Sequence, residues 1–309
     1  MVIPVYDKNP VKRTAYVTYT LIVLNIVIFV FGPTAAKLGT PSPQQACAEQ
    51  RYFVEHGAIA RELLSGRQLS PAQQPLVAVQ STAGPVVCGA FTGLPAKNPF
   101  LSVLTAMFIH AGWMHLLGNM LFLFVFGNNV EDRLGRRHFL LFYLVSGYLA
   151  TYAFAMLNPA SISPLVGASG AIAGTLGAYL YLFPRAKVTS LVPFLLFLPL
   201  RFPAWLVLGS WFLLQLPVVQ GLLGVPADDT IAYLAHVAGF TAGFLYLLLV
   251  LDRGRALSRL NPRRRRARPL EPDGLLAQPW PLVSAESGEN DPYGAGNPFP
   301  YRYPTPPVD

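Results

Sequence analysis

Four polar side chains in otherwise apolar stretches have the residue types that acyl transfer needs. Ser169 and His236 supply a hydroxyl and an imidazole, and a serine becomes a good nucleophile only when a base takes its proton. His115 and Asn119 stand four residues apart, so both would leave one face of a helix and could donate to a developing oxyanion. No apolar run carries an Asp or Glu at a matching position. The residues therefore predict a Ser-His dyad rather than a triad with an acid.

The composition places these residues in a membrane protein. Of the 309 residues, 53% are hydrophobic and 12% are charged, against about a quarter charged in soluble domains. Only helices and closed barrels satisfy all their backbone hydrogen bonds within a bilayer. We therefore predict an all-α polytopic membrane protein, and we assign the net charge of +8 to a topology signal rather than to nucleic-acid binding.

Six apolar runs predict transmembrane helices, at residues 16–31, 113–126, 138–157, 169–183, 203–219 and 231–251. Lys and Arg are concentrated before the first run and after the second, fourth and sixth runs, whereas the connections near Ser161 and Asp228 carry none. The positive-inside rule then places both termini in the cytoplasm and residues 32–99 outside. A cleaved signal peptide stays open as the alternative for the first run, because residues 34–36 form a weak cleavage site.

The outer loop contains most of the early prolines and is predicted to be polar, with one short helix on the membrane surface. That helix would use a helically spaced apolar set: Tyr52, Phe53, Ile59, Leu63 and Leu64. Cys47 and Cys88 would share the oxidising outer compartment, where a disulfide bridge and two free thiols both remain open. Their spacing does not suggest a metal site, and no cofactor is expected.

Two other segments do not fit a regular span. Residues 188–200 are apolar but are interrupted by Pro193 and Pro199, and they predict an interfacial or re-entrant piece. Beyond Leu260 the chain is rich in proline and arginine and cannot bury a core, so a disordered tail is expected. Its arginines would retain it on the inner side or contact anionic lipid.

Distances along the helices place the four polar groups in one layer. A helix rises about 1.5 Å per residue, and Ser169 and His236 each lie fifteen residues before the cytoplasmic end of their run, roughly 22 Å above it. Measured from Glu131, Asn119 and His115 lie roughly 18 Å and 24 Å up. All four therefore fall about 6 to 12 Å below the outer surface of a core of about 30 Å, where water can reach them.

Small residues would let the fourth and sixth runs approach each other closely. Gly170 follows Ser169 on the fourth run, and Gly239 and Gly243 stand four residues apart on the sixth, starting about one turn after His236. Packing these two ridges together would bring the serine hydroxyl to the imidazole. His110, before the second run, is expected at the outer surface, either ordering water or as an ordinary interfacial histidine.

From residue 100 to residue 251 the sequence resembles the rhomboid intramembrane serine proteases. Three separated elements agree in order: His115-x-x-x-Asn119, Gly167-Ala168-Ser169-Gly170 and Ala235-His236-x-x-Gly239-x-x-x-Gly243. The resemblance implies a six-transmembrane-helix rhomboid-like bundle in which Ser169 is the nucleophile, His236 is the base and His115 with Asn119 forms part of the oxyanion hole. Glu131-x-Arg133 is similar to the family's structural Glu-x-Arg element, which implies an ion pair on the cytoplasmic side.

Three departures from the family's pattern concern the surroundings of the reacting groups. Ala173 stands where many relatives have an aromatic residue stacked on the catalytic histidine, so His236 must be oriented in another way. Ala232 replaces a glycine that is often found four residues before that histidine. No Trp precedes Trp113, so the Trp-Arg pair of some relatives' first loop is absent.

The resemblance implies that the substrates are single-span membrane proteins, cut near their outer end beside a small residue. An inactive relative that binds membrane clients is the alternative; a transporter would need polar groups in the cytoplasmic half of the spans, where the sequence has almost none. The expected partners are these substrates and the lipid bilayer, with no nucleic acid.

The expected organisation has five parts in the plasma membrane, with the site open to the extracytoplasmic side. They are a cytoplasmic N-terminus (1–15), a first transmembrane helix (16–31), an extracytoplasmic loop (32–99), a rhomboid catalytic core (100–251) and a cytoplasmic tail (252–309).

Overall fold

Most of the chain is helical in the computed structural model, which describes residues 2–9, 11–36, 40–193, 196–224 and 232–260. The helices are α1 (Tyr16–Phe31), α2 (Pro43–His56), α3 (Ala60–Ser65), α4 (Pro99–Ala106), α5 (Trp113–Phe122), α6 (Asn128–Leu134), α7 (Arg136–Leu157), α8 (Ser169–Leu182), α9 (Ala204–Leu213), α10 (Pro217–Leu222) and α11 (Tyr233–Leu260). A π-helical turn, Leu123–Gly127, joins α5 to α6. All contacts below lie within the unit Met1–Leu257.

Each predicted apolar run overlaps a helix, and the first run coincides with α1. Among the described residues, α7 and the Tyr233–Val250 part of α11 are long and apolar enough to cross a membrane, whereas α1 and α9 are apolar but shorter. The fifth run is broken because Pro217, which has no N–H to donate, begins a new helix after α9 ends. The count of six spans stays a prediction. The prediction of a disordered tail over residues 252–309 is wrong for residues 252–260, which are the last residues of α11. Residue 231 and the chain beyond residue 260 lie outside the described residues.

The chain also forms strands, which the all-α prediction lacks. They are β1 (Ile3–Asp7), β2 (Ala58–Ile59), β3 (Val77–Ser81), β4 (Gly84–Cys88), β5 (Pro164–Leu165), β6 (Lys187–Val192) and β7 (Leu198–Pro203). Strand β6 lies between β1 and β7 in an antiparallel sheet. Residues 188–200 were predicted as an interfacial or re-entrant piece, but they contribute to the β6–β7 hairpin. Val188, Ser190 and Val192 are buried at the period of two that is typical of a strand.

A buried carboxylate attaches the first strand to the helices. Asp7 accepts hydrogen bonds from the Tyr179 hydroxyl (2.6 Å) and the Asn129 amide (2.9 Å). Burial raises the pKa of Asp7, and these two hydrogen bonds oppose that rise. Residues 3–7 of the predicted cytoplasmic N-terminus thus pack against α6 and α8.

Residues 32–99 contain a folded layer, so the prediction of a polar loop with a single surface helix is wrong. The helical spacing breaks at Gly57, where α2 ends and the extended pair β2–β5 begins. Tyr52 is partly buried and Leu64 is exposed, whereas Phe53, Ile59 and Leu63 are buried against the rest of the protein. Their apolar side chains contact protein rather than the membrane surface, which the spacing alone does not reveal.

Two pairings hold this outer layer together. The Lys97 ammonium lies 2.6 Å from the Glu62 carboxylate and donates to the carbonyl oxygens of Val54 (2.7 Å) and Gly57 (3.2 Å). Burial lowers the pKa of Lys97, and Glu62 opposes that fall. A disulfide joins Cys47 at α2 to Cys88 at β4, which decides between the bridge and the free thiols.

Helix α8 passes through the protein interior, and every residue from 171 to 179 is buried. It contacts α11 backbone to backbone. A methyl group added to Gly239 would overlap the carbonyl oxygen of Gly170, and one added to Gly243 would overlap that of Gly174. The predicted packing of the two small-residue ridges is confirmed, and it fixes the distance between the two helices.

We expect Gly243→Ala to lower the free energy of unfolding by about 1 to 3 kcal/mol, because the added methyl forces α8 and α11 apart. Denaturant titration in detergent micelles measures this loss. The control is Gly209→Ala on α9, where an added methyl meets no atom within 4 Å. Equal stability of Gly243→Ala and wild type would contradict the close approach.

Loss of the Cys47–Cys88 bridge should lower stability by about 4 kcal/mol, the chain-entropy value for a closed loop of this length. The measurement is the unfolding midpoint with and without reductant, with Cys47→Ser/Cys88→Ser as the control that reductant leaves unchanged. Two maleimide-reactive thiols in the unreduced, unfolded wild type would show that the bridge does not form.

Candidate active site

Ser169 is the first residue of α8, and the turn before it is held in place by a glycine. Gly167 has a φ of +121°, and its N–H donates to the carbonyl oxygen of Ala106 at 2.8 Å. L-residues rarely adopt this backbone conformation, so the turn depends on glycine. The first N–H groups of a helix have no partner within the helix, and the helix dipole favours negative charge there. Ser169 therefore lies where an oxyanion would be stabilised.

His236 extends from α11 to the Ser169 hydroxyl. The distance from His236 Nε2 to Ser169 Oγ is 2.7 Å, within hydrogen-bonding reach. The two residues are 67 positions apart and meet because Gly239, one turn along α11, lies against the backbone of Gly170. The contact predicted from depth and small-residue spacing is present, with both side chains partly buried.

A third residue, Gln215, contacts the other side of the imidazole and was not predicted. Its Oε1 lies 2.8 Å from His236 Nδ1, and the Trp211 ring lies 5.9 Å from the His236 ring, tilted by 35°. These two residues surround the histidine where Ala173, buried in α8, supplies no aromatic ring. The sequence signal for this contact is a neutral amide within the fifth apolar run, which can accept a hydrogen bond from an imidazole as a carboxylate would.

His115 and Asn119 approach Ser169 from α5. The backbone N–H of Ala111 donates to His115 Nδ1 at 3.4 Å, so a neutral ring would carry its proton on Nε2. That side of the ring packs against Gly167, where an added Cβ would come within 2.7 Å of Nε2. Asn119 is 8% exposed, and its Nδ2 is buried without a hydrogen-bond partner in the described part of the chain. Two N–H donors are thus available near the serine.

These four side chains line one open cavity of about 800 Å³. The cavity wall also includes Trp113 and Trp211, together with the Pro164–Leu165 strand that pairs with the outer layer. No Asp, Glu, Lys or Arg occurs among its described lining residues. The cavity thus contains the groups required for acyl transfer, namely a hydroxyl, an adjacent imidazole and two N–H donors.

The Glu131-x-Arg133 element has different contacts from those expected. The buried Glu131 carboxylate accepts hydrogen bonds from the backbone N–H groups of Val17 (3.0 Å) and Thr18 (2.7 Å) and from the Thr18 hydroxyl (2.7 Å). It therefore stabilises the start of α1. Arg133 is exposed, with its guanidinium 5.9 Å from the centre of the Phe183 ring. The structure shows no ion pair between Glu131 and Arg133, so the prediction of that pair is wrong.

His110 is buried within the protein. Its side chain is 1% exposed, its ring lies 5.1 Å from the His115 ring, and neither ring nitrogen has a hydrogen-bond partner in the described structure. Burial, and to a smaller extent His115, lowers the pKa of His110 to about 3. The ring is therefore neutral at physiological pH and packs against the back of His115. The described residues contain no group of three or more His, Cys, Asp or Glu suited to a metal.

Comparison with known proteins identifies a family and several relatives of this chain. The family model "Rhomboid domain" matches residues 97–253, about half of the chain, and includes all four cavity side chains named above. RHOMBOID-like protein 6, mitochondrial, from Arabidopsis thaliana is 27% identical over 250 residues, which cover 78% of this chain and 72% of that protein.

Other relatives match over shorter stretches. RHOMBOID-like protein 1 from Arabidopsis thaliana is 34% identical over 54% of this chain and 39% of its own length. Rhomboid protease GluP from Bacillus subtilis is 41% identical over 28% of this chain and 17% of its own length. The chain thus spans less than half of these two relatives. By the family match and the shared order of motifs, the chain belongs to the rhomboid family.

Proposed function

We propose that the protein is an intramembrane serine endopeptidase that hydrolyses peptide bonds in or near the transmembrane segments of single-span membrane proteins. The observation that carries the proposal is the 2.7 Å contact between Ser169 Oγ and His236 Nε2 at the edge of a cavity that also holds an unpaired amide donor. Two relatives have names that include rhomboid protease, YdcA and GluP of Bacillus subtilis, and these names are consistent with the same chemistry.

In the proposed reaction, Ser169 Oγ attacks the scissile carbonyl carbon while its proton passes to His236 Nε2. The carbonyl oxygen becomes an oxyanion that His115 Nε2–H, Asn119 Nδ2–H and the Ser169 backbone N–H stabilise. Collapse of this intermediate breaks the C–N bond, and His236 returns the proton to the leaving amine. Water then attacks the ester carbonyl while His236 takes one of its protons. The ester C–O bond breaks, His236 returns the proton to Ser169 Oγ, and the acid product is released.

The unpaired Asn119 amide supports this assignment energetically. A buried donor without a partner costs about 1 to 3 kcal/mol in the resting protein. An oxyanion would remove that penalty during the reaction, so the interaction is stronger in the transition state than in the ground state. Such differential binding is what accelerates the chemical step.

The membrane setting is part of the proposal. Rhomboid proteins are membrane-embedded, and we propose six transmembrane helices, cytoplasmic termini at residues 1–15 and 252–309, and a cavity that opens to the extracytoplasmic side of the plasma membrane. The disulfide in residues 32–99 supports an oxidising location for that layer. Several relatives have names that specify mitochondria, so a reporter fused to either terminus is needed to establish membrane and orientation.

Ser169→Ala should abolish cleavage of a single-span reporter by the protein in liposomes, lowering the rate by at least about 1,000-fold because the nucleophile is lost. The control is Ser210→Ala, which removes a serine hydroxyl that donates to the carbonyl oxygen of Val207 in its own helix. Cleavage that survives Ser169→Ala would exclude the assigned nucleophile. Wild type that neither cleaves nor reacts with a fluorophosphonate at Ser169 would favour the client-binding alternative.

Asn119→Ala should lower kcat by about 100- to 1,000-fold, the usual effect of losing one oxyanion donor, and should change KM by less than about threefold. Steady-state kinetics on the same reporter provides both constants. Asn25→Ala is the matched control, because Asn25 is buried in α1 and donates to the carbonyl oxygen of Leu21. A kcat for Asn119→Ala within twofold of wild type would remove this residue from the oxyanion hole.

A further inference from the structure

We propose that Gln215 is a positioning residue that fixes the orientation and tautomer of His236. The inference rests on the proposed function, because it assigns a task within that dyad. It is based on the contacts of a buried amide with the imidazole on one side and with a helix end on the other.

The orientation of the Gln215 amide follows from its two partners. Its Nε2 donates to the carbonyl oxygen of Trp211 at 3.3 Å, and a carbonyl oxygen can only accept. Its Oε1 therefore points to His236 Nδ1, 2.8 Å away. The amide oxygen has no hydrogen to donate, so His236 Nδ1 must carry the proton in this contact.

The tautomer of His236 has a direct consequence for the dyad. A neutral imidazole protonated on Nδ1 has an unprotonated Nε2, and this nitrogen faces the Ser169 hydroxyl at 2.7 Å. It can accept the serine proton without rearrangement. When Nε2 takes that proton, the ring becomes an imidazolium whose Nδ1–H still donates to Gln215. With the other tautomer, Nε2 would carry a hydrogen toward the nucleophile and could not act as the base.

The local chain is built to hold this amide. Gln215 is 7% exposed and lies in the break between α9 and α10, where its own N–H donates to the carbonyl oxygen of Phe212 at 3.0 Å. Gln220 closes the same break by donating from Nε2 to the carbonyl oxygen of Leu214 at 2.8 Å. With Pro217 starting α10, these contacts restrict the motion of the Gln215 backbone.

The described residues that line the cavity supply no other acceptor for His236 Nδ1, and Trp211 offers only ring contact. Ala173 has no ring to stack on the histidine, and the cavity's described lining contains no carboxylate that could replace the amide. His115 is the other titratable ring in that lining, and it approaches from the side of Gly167. A neutral amide directs the imidazole without the strong stabilisation of imidazolium that a carboxylate would add.

The test compares Gln215→Leu, which has no acceptor, with Gln215→Glu, which keeps one. We expect Gln215→Leu to lower kcat by about 10- to 100-fold with KM changed by less than about threefold, since part of the general-base contribution is lost. Gln215→Glu should retain at least about a third of the wild-type kcat. Because its carboxylate favours imidazolium, the acid limb of its kcat/KM profile should move up by about one pH unit. Asn25→Leu, which loses a buried amide on α1, should leave the position of that limb unchanged.

A second readout does not depend on cleavage. In Ser169→Ala protein with ¹⁵N-labelled histidine, NMR should show His236 protonated on Nδ1, and the added Gln215→Leu change should abolish that preference. This measurement separates failure of the inference from failure of the proposed function, because it gives an answer even when no variant cleaves. A wild-type rate and profile for Gln215→Leu, or a loss that Gln215→Glu does not restore, would overturn the positioning role. So would an Nε2-protonated His236.

Discussion

The close approach of two helix backbones is the constraint on which the candidate site depends. Ser169 and His236 come from helices α8 and α11, and their side chains meet only if the helix axes lie closer than ordinary side chains permit. Gly239 against Gly170 and Gly243 against Gly174 provide that separation. In a bilayer, where lipid is as apolar as leucine, close van der Waals packing is a main source of helix association. The same glycines therefore contribute to both stability and the geometry of the dyad.

The hydrogen-bonding groups around this contact are neutral side chains rather than carboxylates or ammonium groups. The histidine has an amide at one nitrogen and a serine hydroxyl at the other, and the nearby donors are an imidazole and a second amide. Isolated charges are costly in an apolar setting, whereas neutral polar groups with fixed orientation can stabilise charge that forms during a reaction. The one buried carboxylate of the Glu-x-Arg element instead stabilises the start of α1.

The sequence predicts the contact between Ser169 and His236 because two independent periodicities agree. Helical rise brings Ser169 and His236 to one depth, and the spacing of glycines brings their helices together. Other features are set by contacts that hydropathy does not report. The β6–β7 hairpin has the hydropathy of an apolar run because its alternate side chains pack on protein. The spacing of Phe53 and Ile59 predicts a membrane-facing helix, although both side chains are buried in the outer layer. The contact of Gln215 with His236 was not predicted, because it depends on a helix break that only the fold reveals.

A crystal structure of the protein after reaction with a fluorophosphonate tests the central claim most directly, since the phosphonyl group resembles the tetrahedral intermediate. We expect a bond from phosphorus to Ser169 Oγ, with the phosphonyl oxygen within about 3 Å of His115 Nε2 and Asn119 Nδ2. A label on any other residue, or Ser169 and His236 more than about 11 Å (two helical turns) apart, would contradict it.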